Sequence, residues 1–561
     1  MIKWLYVFFI LSYSIALHQA FTTFTLVTYK VGNVFERLDL MGIELLLFVF
    51  SAIIFFSLYK YKDSTRINFF INSNSNSNSN SNYSKYFVPI VLLISFCLRM
   101  LTIIFFDTYP TMDAYQYFMD GIKIAEGGYF SDATNVPYWP AGYKIFIGIL
   151  FFVFPQKLFV IKFAQVILHL IAELIMYKIV LKLSNNNFLM AKITLLLMAI
   201  YPNHILYSAL IWSEILFLTM ILLAFYLLIL ANEHELLMTK TSKKKYLILF
   251  VSGLLWGAAA LVRPLAMFYP FAFYAAFFLC KKISIKISIK QLLVVFVAFF
   301  LMLSPWVYRN YKLYNKFILI STNGSLVLFM TFVVDNDGNK LDEMVKPRGS
   351  IDPNKLSDYA LKYMMDNPYR TVKIMFRSFK KFYKSDFDGV ESIIQSKIPK
   401  VISENDFNKI LEKVHTAINL VNLKDVFVFE KNSNNYILKE NLPEITRANT
   451  AQTILYSFSY PYWFSENLPL ILIRFINSMF YYFTLFANGF LLFMLIRKAK
   501  HSRDHLKNII PLYTLGLFFI LINTAVYVMS QGDTRYHFPL MPWLFVGVSM
   551  VVLVRACRKI T

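Results

Sequence analysis

Long apolar runs separated by short polar connections dominate this sequence and limit what it can fold into. An α-helix needs about 20 consecutive apolar residues to cross the hydrocarbon core of a bilayer. Hydrophobic residues make up 57% of the 561 positions, and the mean hydropathy is +0.52. A soluble domain cannot bury so much apolar surface. The runs therefore predict an all-α polytopic membrane protein with about 12 transmembrane helices.

The predicted spans are distributed along the whole chain except for one polar stretch before the last three. A further apolar piece, 142–154, has about 13 residues and is too short to cross, so we expect it at the membrane surface or partly inserted. The spans lie at approximately 4–25, 39–59, 87–106, 157–182, 188–204, 207–230, 246–263, 265–280, 290–308, 469–496, 508–530 and 536–556.

Basic residues are concentrated in the short connections between apolar runs. A net charge of +23 alone is compatible with a nucleic-acid partner, but this distribution is the one that orients membrane proteins, with Lys and Arg on the cytoplasmic side. We therefore expect no nucleic-acid partner, both termini in the cytoplasm, and a multi-pass protein of the plasma membrane. The cations are Lys60, Lys62, Arg66 and Lys85; Lys240, Lys243, Lys244 and Lys245; Lys281, Lys282, Lys286 and Lys290; Arg497, Lys498, Lys500, Arg503 and Lys507; and Arg555, Arg558 and Lys559.

The order of polar and apolar segments predicts five regions. The second of them contains a strict Asn-Ser alternation with nothing to bury, which is typical of a disordered linker. The regions are two N-terminal transmembrane helices at 1–60, a cytoplasmic Asn/Ser linker at 61–86, a transmembrane core at 87–308 with its first outer loop at 107–143, an extracytoplasmic domain at 309–468, and C-terminal transmembrane helices at 469–561.

One segment of the predicted extracytoplasmic domain, 369–384, alternates apolar and basic residues. This spacing is typical of an amphipathic helix that lies in the membrane interface. A surface helix of the outer domain explains the same spacing equally well. The sequence leaves both interpretations open.

The first outer loop reverses the sign of the charge in an otherwise basic chain. Such a reversal at a membrane surface indicates a site that uses carboxylates. For most of these side chains taken singly, an ordinary solvated loop remains the better interpretation. The carboxylates are Asp107, Asp113, Asp120, Glu126 and Asp132, and their basic neighbours are Lys123 and Lys144.

Later spans also carry ionisable groups on the predicted outer side. Glu214 lies inside an apolar run, where a charge is costly unless it has a partner, so a functional role and an ion pair with a nearby cation are equally plausible. Arg263 and Arg309 lie where spans emerge, although Arg at a helix end is commonly an interfacial anchor.

The last outer connection is a tight turn that contains Asp533, Arg535, Tyr536 and His537. Solubility alone does not explain so many ion-forming side chains in so short a turn. The alternative interpretation is an ion pair between Asp533 and Arg535 that neutralises both charges and has no further role.

The sequence lacks the common motifs for nucleotide binding and for zinc binding. The sequence contains no GxxxxGK[ST] loop, no strand followed by GxGxxG, and no HExxH or CxxC framework, which disfavours a nucleotide-driven pump and a zinc protease. Carboxylates and guanidinium groups at an outer membrane boundary suit transfer from a lipid-linked phosphate. Arg binds the phosphate, and a carboxylate accepts the proton of the acceptor hydroxyl.

Short motifs in a shared order carry a family resemblance. They resemble polyprenyl-phosphate-dependent membrane glycosyltransferases of the GT-C class, which include protein O-mannosyltransferases and the lipid A aminoarabinose transferase. The resemblance covers about residues 87–556. The motifs are Asp-Ala-x-x-Tyr at 113–117, Gly-Gly-Tyr at 127–129, Tyr-Trp-Pro-x-Gly-Tyr at 138–143, Ser213-Glu214, Arg263-Pro264, Pro305-Trp306, Arg309-Asn310, Thr-Asn-Gly at 322–324, and Gly532-Asp533-x-Arg535-Tyr536 with Pro539 and Pro542.

The resemblance implies a GT-C-like fold and an inverting transfer from a polyprenyl-phosphate-linked sugar, with Asp113 as the general base and Asp107 in reserve. It also implies an extracytoplasmic active site. Ala114 and Trp139 depart from the pattern, which leaves the involvement of a divalent cation open. The implied substrate-binding residues are Tyr143, Glu214, Arg263, Arg309, Asp533, Arg535, Tyr536 and His537, with Arg535 the strongest candidate for the phosphate.

Two other functions compete with this one. A transporter or flippase for lipid-linked glycans uses midplane charges and internal repeats, whereas here the ionisable residues gather at one predicted surface. An O-antigen polymerase or ligase shares many spans and one large outer loop, but that loop carries basic catalytic residues. The sequence does not name the sugar or the acceptor, which is a lipid, a glycan or a protein.

Overall fold

The computed structural model describes residues 81–132, 137–236, 243–334, 355–383, 388–414, 420–430, 433–457, 468–497, 509–530 and 534–557. The two N-terminal spans, most of the Asn/Ser linker and Asp533 lie outside the described residues.

The described chain is mainly helical, with one small sheet. The helices are α1 Ser81–Phe105, α2 Asp113–Ala125, α3 Gly142–Val153, α4 Leu158–Leu183, α5 Phe188–Ile200, α6 Pro202–Leu206, α7 Glu214–Leu236, α8 Lys243–Val262, α9 Tyr269–Leu279, α10 Ile285–Tyr314, α11 Asn323–Phe332, α12 Leu356–Asp366, α13 Pro368–Phe382, α14 Asp388–Gln395, α15 Glu404–Val414, α16 Leu423–Val426, α17 Glu444–Ser457, α18 Leu468–Arg497, α19 Ile510–Val528 and α20 Met541–Cys557.

Seven helices in the described residues are long and apolar enough to cross a membrane. They are α1, α4, α7, α8, α10, α18 and α19, and each falls on a predicted span. The predicted span at 188–204 is broken instead, because Pro202 follows α5 and the chain bends by 55° into α6. The helices at the predicted spans 265–280 and 536–556 are shorter than the seven. The described part of the chain is thus that of a multi-pass membrane protein, with seven, or up to eight, candidate spans by length and composition.

Tight packing fixes the first loop on the bundle. α2 and α3 lie so close that a Cβ at Gly121 would be 2.3 Å from a methyl of Ile147, and one at Gly148 would be 2.3 Å from a methyl of Ile124. A Cβ at Gly142 would be 2.7 Å from the backbone carbon of Leu261 at the end of α8. Only glycine allows such close approaches. Helix α3 therefore packs tightly against both α2 and the end of α8, and it holds these two elements near one another.

The end of the bundle at which α1 stops and α4 begins, which we call the loop end, carries the polar segments. Helix α10 continues to Tyr314, past the predicted boundary at 308. The segment after α10 packs at the loop end and includes an antiparallel sheet of strand order β1-β3-β2. Its strands are β1 Val401–Ser403, β2 Phe427–Glu430 and β3 Asn435–Leu438, with Ile437 opposite both Val401 and Val428.

A group of fully buried ionisable residues, the core cluster, joins α1 to α4. Arg99 lies 2.9 Å from Glu173, and both side chains are 0% exposed. Glu173 also accepts from Ser95 Oγ at 2.8 Å, and His169 lies 3.2 Å from it. The Arg99 guanidinium donates to the carbonyls of residues 198 and 199, at 3.3 and 3.2 Å, so it binds the end of α5 where the chain breaks.

Candidate active site

Asp113 is the first residue of α2, where the helix dipole favours a carboxylate. The residue before it, Met112, has φ 52°, in the left-handed region that side chains rarely adopt. Its backbone N–H donates to Gln452 Oε1 on α17 at 2.7 Å, and Tyr115 donates to Asn449 Oδ1 at 2.8 Å. The segment after α10 therefore holds the start of α2 in place.

Two groups contact the Asp113 carboxylate among the residues that the structure describes. The Trp139 indole N–H donates to Oδ1 at 3.2 Å, and Arg535 Nη2 lies 3.5 Å from Oδ2. The side chains of Asp113 and Arg535 are 32% and 26% exposed. The pair is therefore loose and partly open, and it joins the first loop to the last.

Behind this pair lies a second, buried one. Arg263 Nη2 forms an ion pair with Glu214 Oε1, and Arg263 also donates to Ser213 Oγ at 3.3 Å and to the Tyr527 hydroxyl at 3.4 Å. Arg535 Nε lies 4.0 Å from the same Glu214 oxygen. Glu214 thus has the cationic partners that its burial requires. We call Asp113, Glu214, Arg263 and Arg535 the boundary cluster.

Aromatic rings surround the boundary cluster. The Arg535 guanidinium lies 4.8 Å from the centre of the Trp212 ring and 5.3 Å from that of Tyr536. Tyr536 stacks on Tyr527 with ring centres 3.8 Å apart. Burial, with the Asp113 charge as a smaller cause, raises the pKa of Tyr117 well above its ordinary value. The Tyr117 phenol is therefore neutral over the physiological range.

Three predicted substrate-binding residues have other contacts. Arg309 donates to the carbonyls of Phe130, Tyr129 and Asp132 at 3.2 to 3.4 Å, so it fastens the first loop to the end of α10. The buried Tyr143 donates to Gln165 at 2.7 Å. His537 is buried against Tyr481, whose ring centre is 4.8 Å away.

Asp107, the reserve base, belongs to a separate network. The Tyr109 hydroxyl donates to Asp107 Oδ2 at 2.9 Å, and Arg447 Nη1 donates to the same hydroxyl at 2.7 Å. Burial raises the pKa of Tyr109 to about 12. Asp107 therefore anchors the loop between α1 and α2 on α17.

No protein-family model and no curated protein matches the sequence. Among solved structures, the chain is similar to archaeal oligosaccharyltransferase AglB from Archaeoglobus fulgidus in complex with an inhibitory peptide and a dolichol-phosphate, with 14% identity and a TM-score of 0.41 over 86% of this chain and 52% of that chain. The apo form of the Archaeoglobus fulgidus oligosaccharyltransferase gives 15% identity and a TM-score of 0.43 over 86% and 53%.

The neighbours are GT-C class glycosyltransferases. This is the class that the sequence motifs resemble. The chain spans about half the length of these enzymes, and a likeness at 13 to 15% identity with TM-scores below 0.5 assigns no role to any of its residues.

A divalent cation does not fit the described part of the site. Within the described ranges, no three His, Cys, Asp or Glu side chains come together as a metal would require. The Asp113 carboxylate faces a guanidinium instead of a second carboxylate, and Glu214 lies between two guanidinium groups. This donor set binds anions better than cations.

Sequence reasoning missed three members of the site. Trp139 was noted only as a departure from the motif, yet it contacts Asp113. Trp212, directly before Ser213-Glu214, stacks on Arg535. Tyr527 is one of many aromatic residues in a span, and nothing in the sequence distinguishes it from the others.

Proposed function

We propose that the protein is a membrane glycosyltransferase that moves a sugar from a polyprenyl-phosphate donor to an acceptor on the outer face of the membrane. The observation that carries this proposal is the loose, partly exposed pair of Asp113 and Arg535, 3.5 Å apart at the loop end of the bundle. A base and an anion-binding group share one opening there, and the donor sugar would enter between them and separate the pair.

Arg535 binds the donor phosphate in this proposal. Its guanidinium is held over Trp212 and Tyr536, which fixes its plane, and it is the more exposed of the two arginines in the boundary cluster. Arg263 is occupied by Glu214 and supports the site electrostatically. Planar guanidinium groups suit bidentate phosphate contacts.

Asp113 accepts the proton. The acceptor hydroxyl oxygen bonds to the anomeric carbon while the bond from that carbon to the phosphate oxygen breaks. The hydroxyl proton passes to the Asp113 carboxylate, and the bonding electrons leave with the polyprenyl phosphate at Arg535. Because attack and departure occur on opposite faces of the sugar, the anomeric configuration is inverted. Trp139 orients the carboxylate through its indole N–H.

The test is a transfer assay with the purified full chain, a panel of synthetic polyprenyl-phosphate sugars, and acceptors extracted from the membrane. We expect product with the wild-type chain and with Glu126→Gln, which removes an exposed carboxylate just after the same helix. Asp113→Asn, correctly inserted, should transfer at least about 100-fold more slowly. Movement of intact donor across vesicles without product would point to a transporter and contradict the proposal.

A further inference from the structure

Helix α13, Pro368–Phe382, has three faces of different character. The first, with Ile374, Ser378 and Phe382, is buried against the protein. The second is apolar and exposed: Tyr369 is 84%, Val372 65% and Phe376 46% exposed. At about 100° per residue, these three lie within an arc of roughly 60° on the side away from the buried face.

The third face is basic. It carries Arg370, Lys373, Arg377, Lys380 and Lys381, and the helix contains no acidic residue. The same geometry places all five within an arc of roughly 100°, directly beside the exposed apolar face. Met365, in the last turn of α12 just before this helix, is also apolar and 74% exposed.

Contacts with α19 place α13 at the level of the membrane boundary. Ser378 Oγ donates to the carbonyl of Ser530 at 2.9 Å, just beyond the end of that span. The hydroxyls of Tyr383 and Thr524 lie 2.6 Å apart, and the Phe382 ring stacks on Tyr527 at 5.8 Å. The helix is therefore fixed beside the plane in which α19 leaves the bilayer.

We infer that α13 binds the membrane surface, with its apolar face among the acyl chains and its basic face on acidic phospholipid headgroups. An exposed apolar stripe beside an acid-free basic stripe matches the two layers that a bilayer presents at that depth. A soluble protein partner would require complementary acidic and apolar surfaces at the same level. This inference does not depend on the proposed transfer reaction.

The placement also connects the lipid surface to the boundary cluster. Phe382 contacts Tyr527, and the Tyr527 hydroxyl accepts from Arg263. The α13 helix therefore packs directly against the aromatic wall of the boundary cluster.

Spin labels can test this inference without any measurement of activity. In a chain whose three cysteines are replaced by serine, Tyr369→Cys and Phe376→Cys carry the label, and Val428→Cys, 53% exposed on β2, is the matched control. The chain is reconstituted in phosphatidylcholine, or in equal parts of phosphatidylcholine and phosphatidylglycerol. Labels at 369 and 376 should be several-fold more accessible to oxygen than to a water-soluble nickel chelate, with the opposite preference at 428.

Phosphatidylglycerol should strengthen this preference, and Lys373→Gln with Lys381→Gln should remove the gain. Equal access of the nickel chelate to 369 and 428, or no response to phosphatidylglycerol, would overturn the inference. Line broadening that disappears on dilution with unlabelled protein would assign the face to a second copy and would also overturn it. If the cysteine-free chain does not fold, native mass spectrometry of the natural chain provides a second test, in which retained phosphatidylglycerol should decrease in the double Gln variant.

Discussion

The core cluster and the boundary cluster both pair Arg with acidic side chains, but they differ in solvent exposure and in the groups that bind these charges. In the core cluster, Arg99 and Glu173 are fully buried, and backbone carbonyls of α5 take further guanidinium hydrogens. In the boundary cluster, Asp113 and Arg535 are about a third and a quarter exposed and lie 3.5 Å apart. The first cluster is closed to solvent and bound mainly by other protein groups, although Arg99 Nε and Glu173 Oε2 have no hydrogen-bond partner among the described residues. The second cluster is open to a ligand.

This difference shows why a charged pair between helices is not by itself a site. Removing water from two charges costs several kcal/mol, so a buried pair persists only with close geometry and further hydrogen bonds. The core cluster meets that condition and stabilises the break between α5 and α6. The open pair of the boundary cluster is farther apart, which leaves room for an anion to compete for Arg535.

The largest expected effect separates chemistry from folding. Asp113→Asn keeps the shape of the side chain but removes the base, so we expect the transfer rate to fall by about 10²- to 10⁴-fold. Thermal unfolding in detergent should be nearly unchanged, because the Asp113–Arg535 pair is loose and partly exposed. Turnover with the synthetic donor and an unfolding scan measure the two quantities. Near wild-type turnover would remove Asp113 from the mechanism.

Glu173→Gln should lower the stability of the protein far more than its transfer rate. It leaves the Arg99 charge buried without its carboxylate, so we expect a loss of about 3–5 kcal/mol in the free energy of unfolding. The control is Glu233→Gln, which breaks a pair with Lys182 whose side chains are 26% and 43% exposed, and which should cost at most about 1 kcal/mol. Denaturant titration measures both losses. Similar values in the two variants would show that the core cluster contributes no more to the free energy of unfolding than a surface pair.

Arg535→Ala should weaken donor use more than acceptor use. The loss of charge-assisted hydrogen bonds to phosphate corresponds to about 10- to 100-fold in the KM of the donor. Arg535→Lys keeps the charge without the planar fork and should fall between Ala and the wild type. Steady-state kinetics with each substrate varied in turn provides the comparison. Equal changes in both KM values would exclude a phosphate role.

Met112→Gly should have the smallest effect, on stability. Met112 adopts φ 52° next to Asp113, a conformation that glycine adopts without strain, and its side chain is 47% exposed. We expect a gain of about 1 kcal/mol in the free energy of unfolding. A loss of stability would show that the backbone entropy of glycine in the unfolded chain, together with lost contacts of the Met112 side chain, outweighs the strain.

Hydrophobic patterning predicted much of the helical fold, since each long run must be buried in lipid or protein. The predicted span at 188–204 ends only a few residues past the break at Pro202, so the pattern located the end of this helix but not the 55° bend into α6. Charge asymmetry put Asp113 and Arg535 on one predicted side. Their contact across 422 positions depends on packing such as that of Gly121 and Gly148, which no local pattern specifies.

The core cluster went unrecognised although a signal was present. Arg99 lies inside an apolar run, and a charge at such a position indicates a buried partner. Arg309 shows the converse case: its position at the end of a span was clear, but its three carbonyl acceptors lie in a loop almost 180 residues away. Backbone acceptors have no sequence signature.

A cryo-electron microscopy structure of the full chain with bound polyprenyl phosphate is the most direct test of the central claim. The account predicts density for the phosphate within hydrogen-bonding distance of the Arg535 guanidinium, at the mouth formed with Asp113, and polyprenyl density along the neighbouring helices. Phosphate bound elsewhere, with Asp113 and Arg535 still paired and uncontacted, would contradict it.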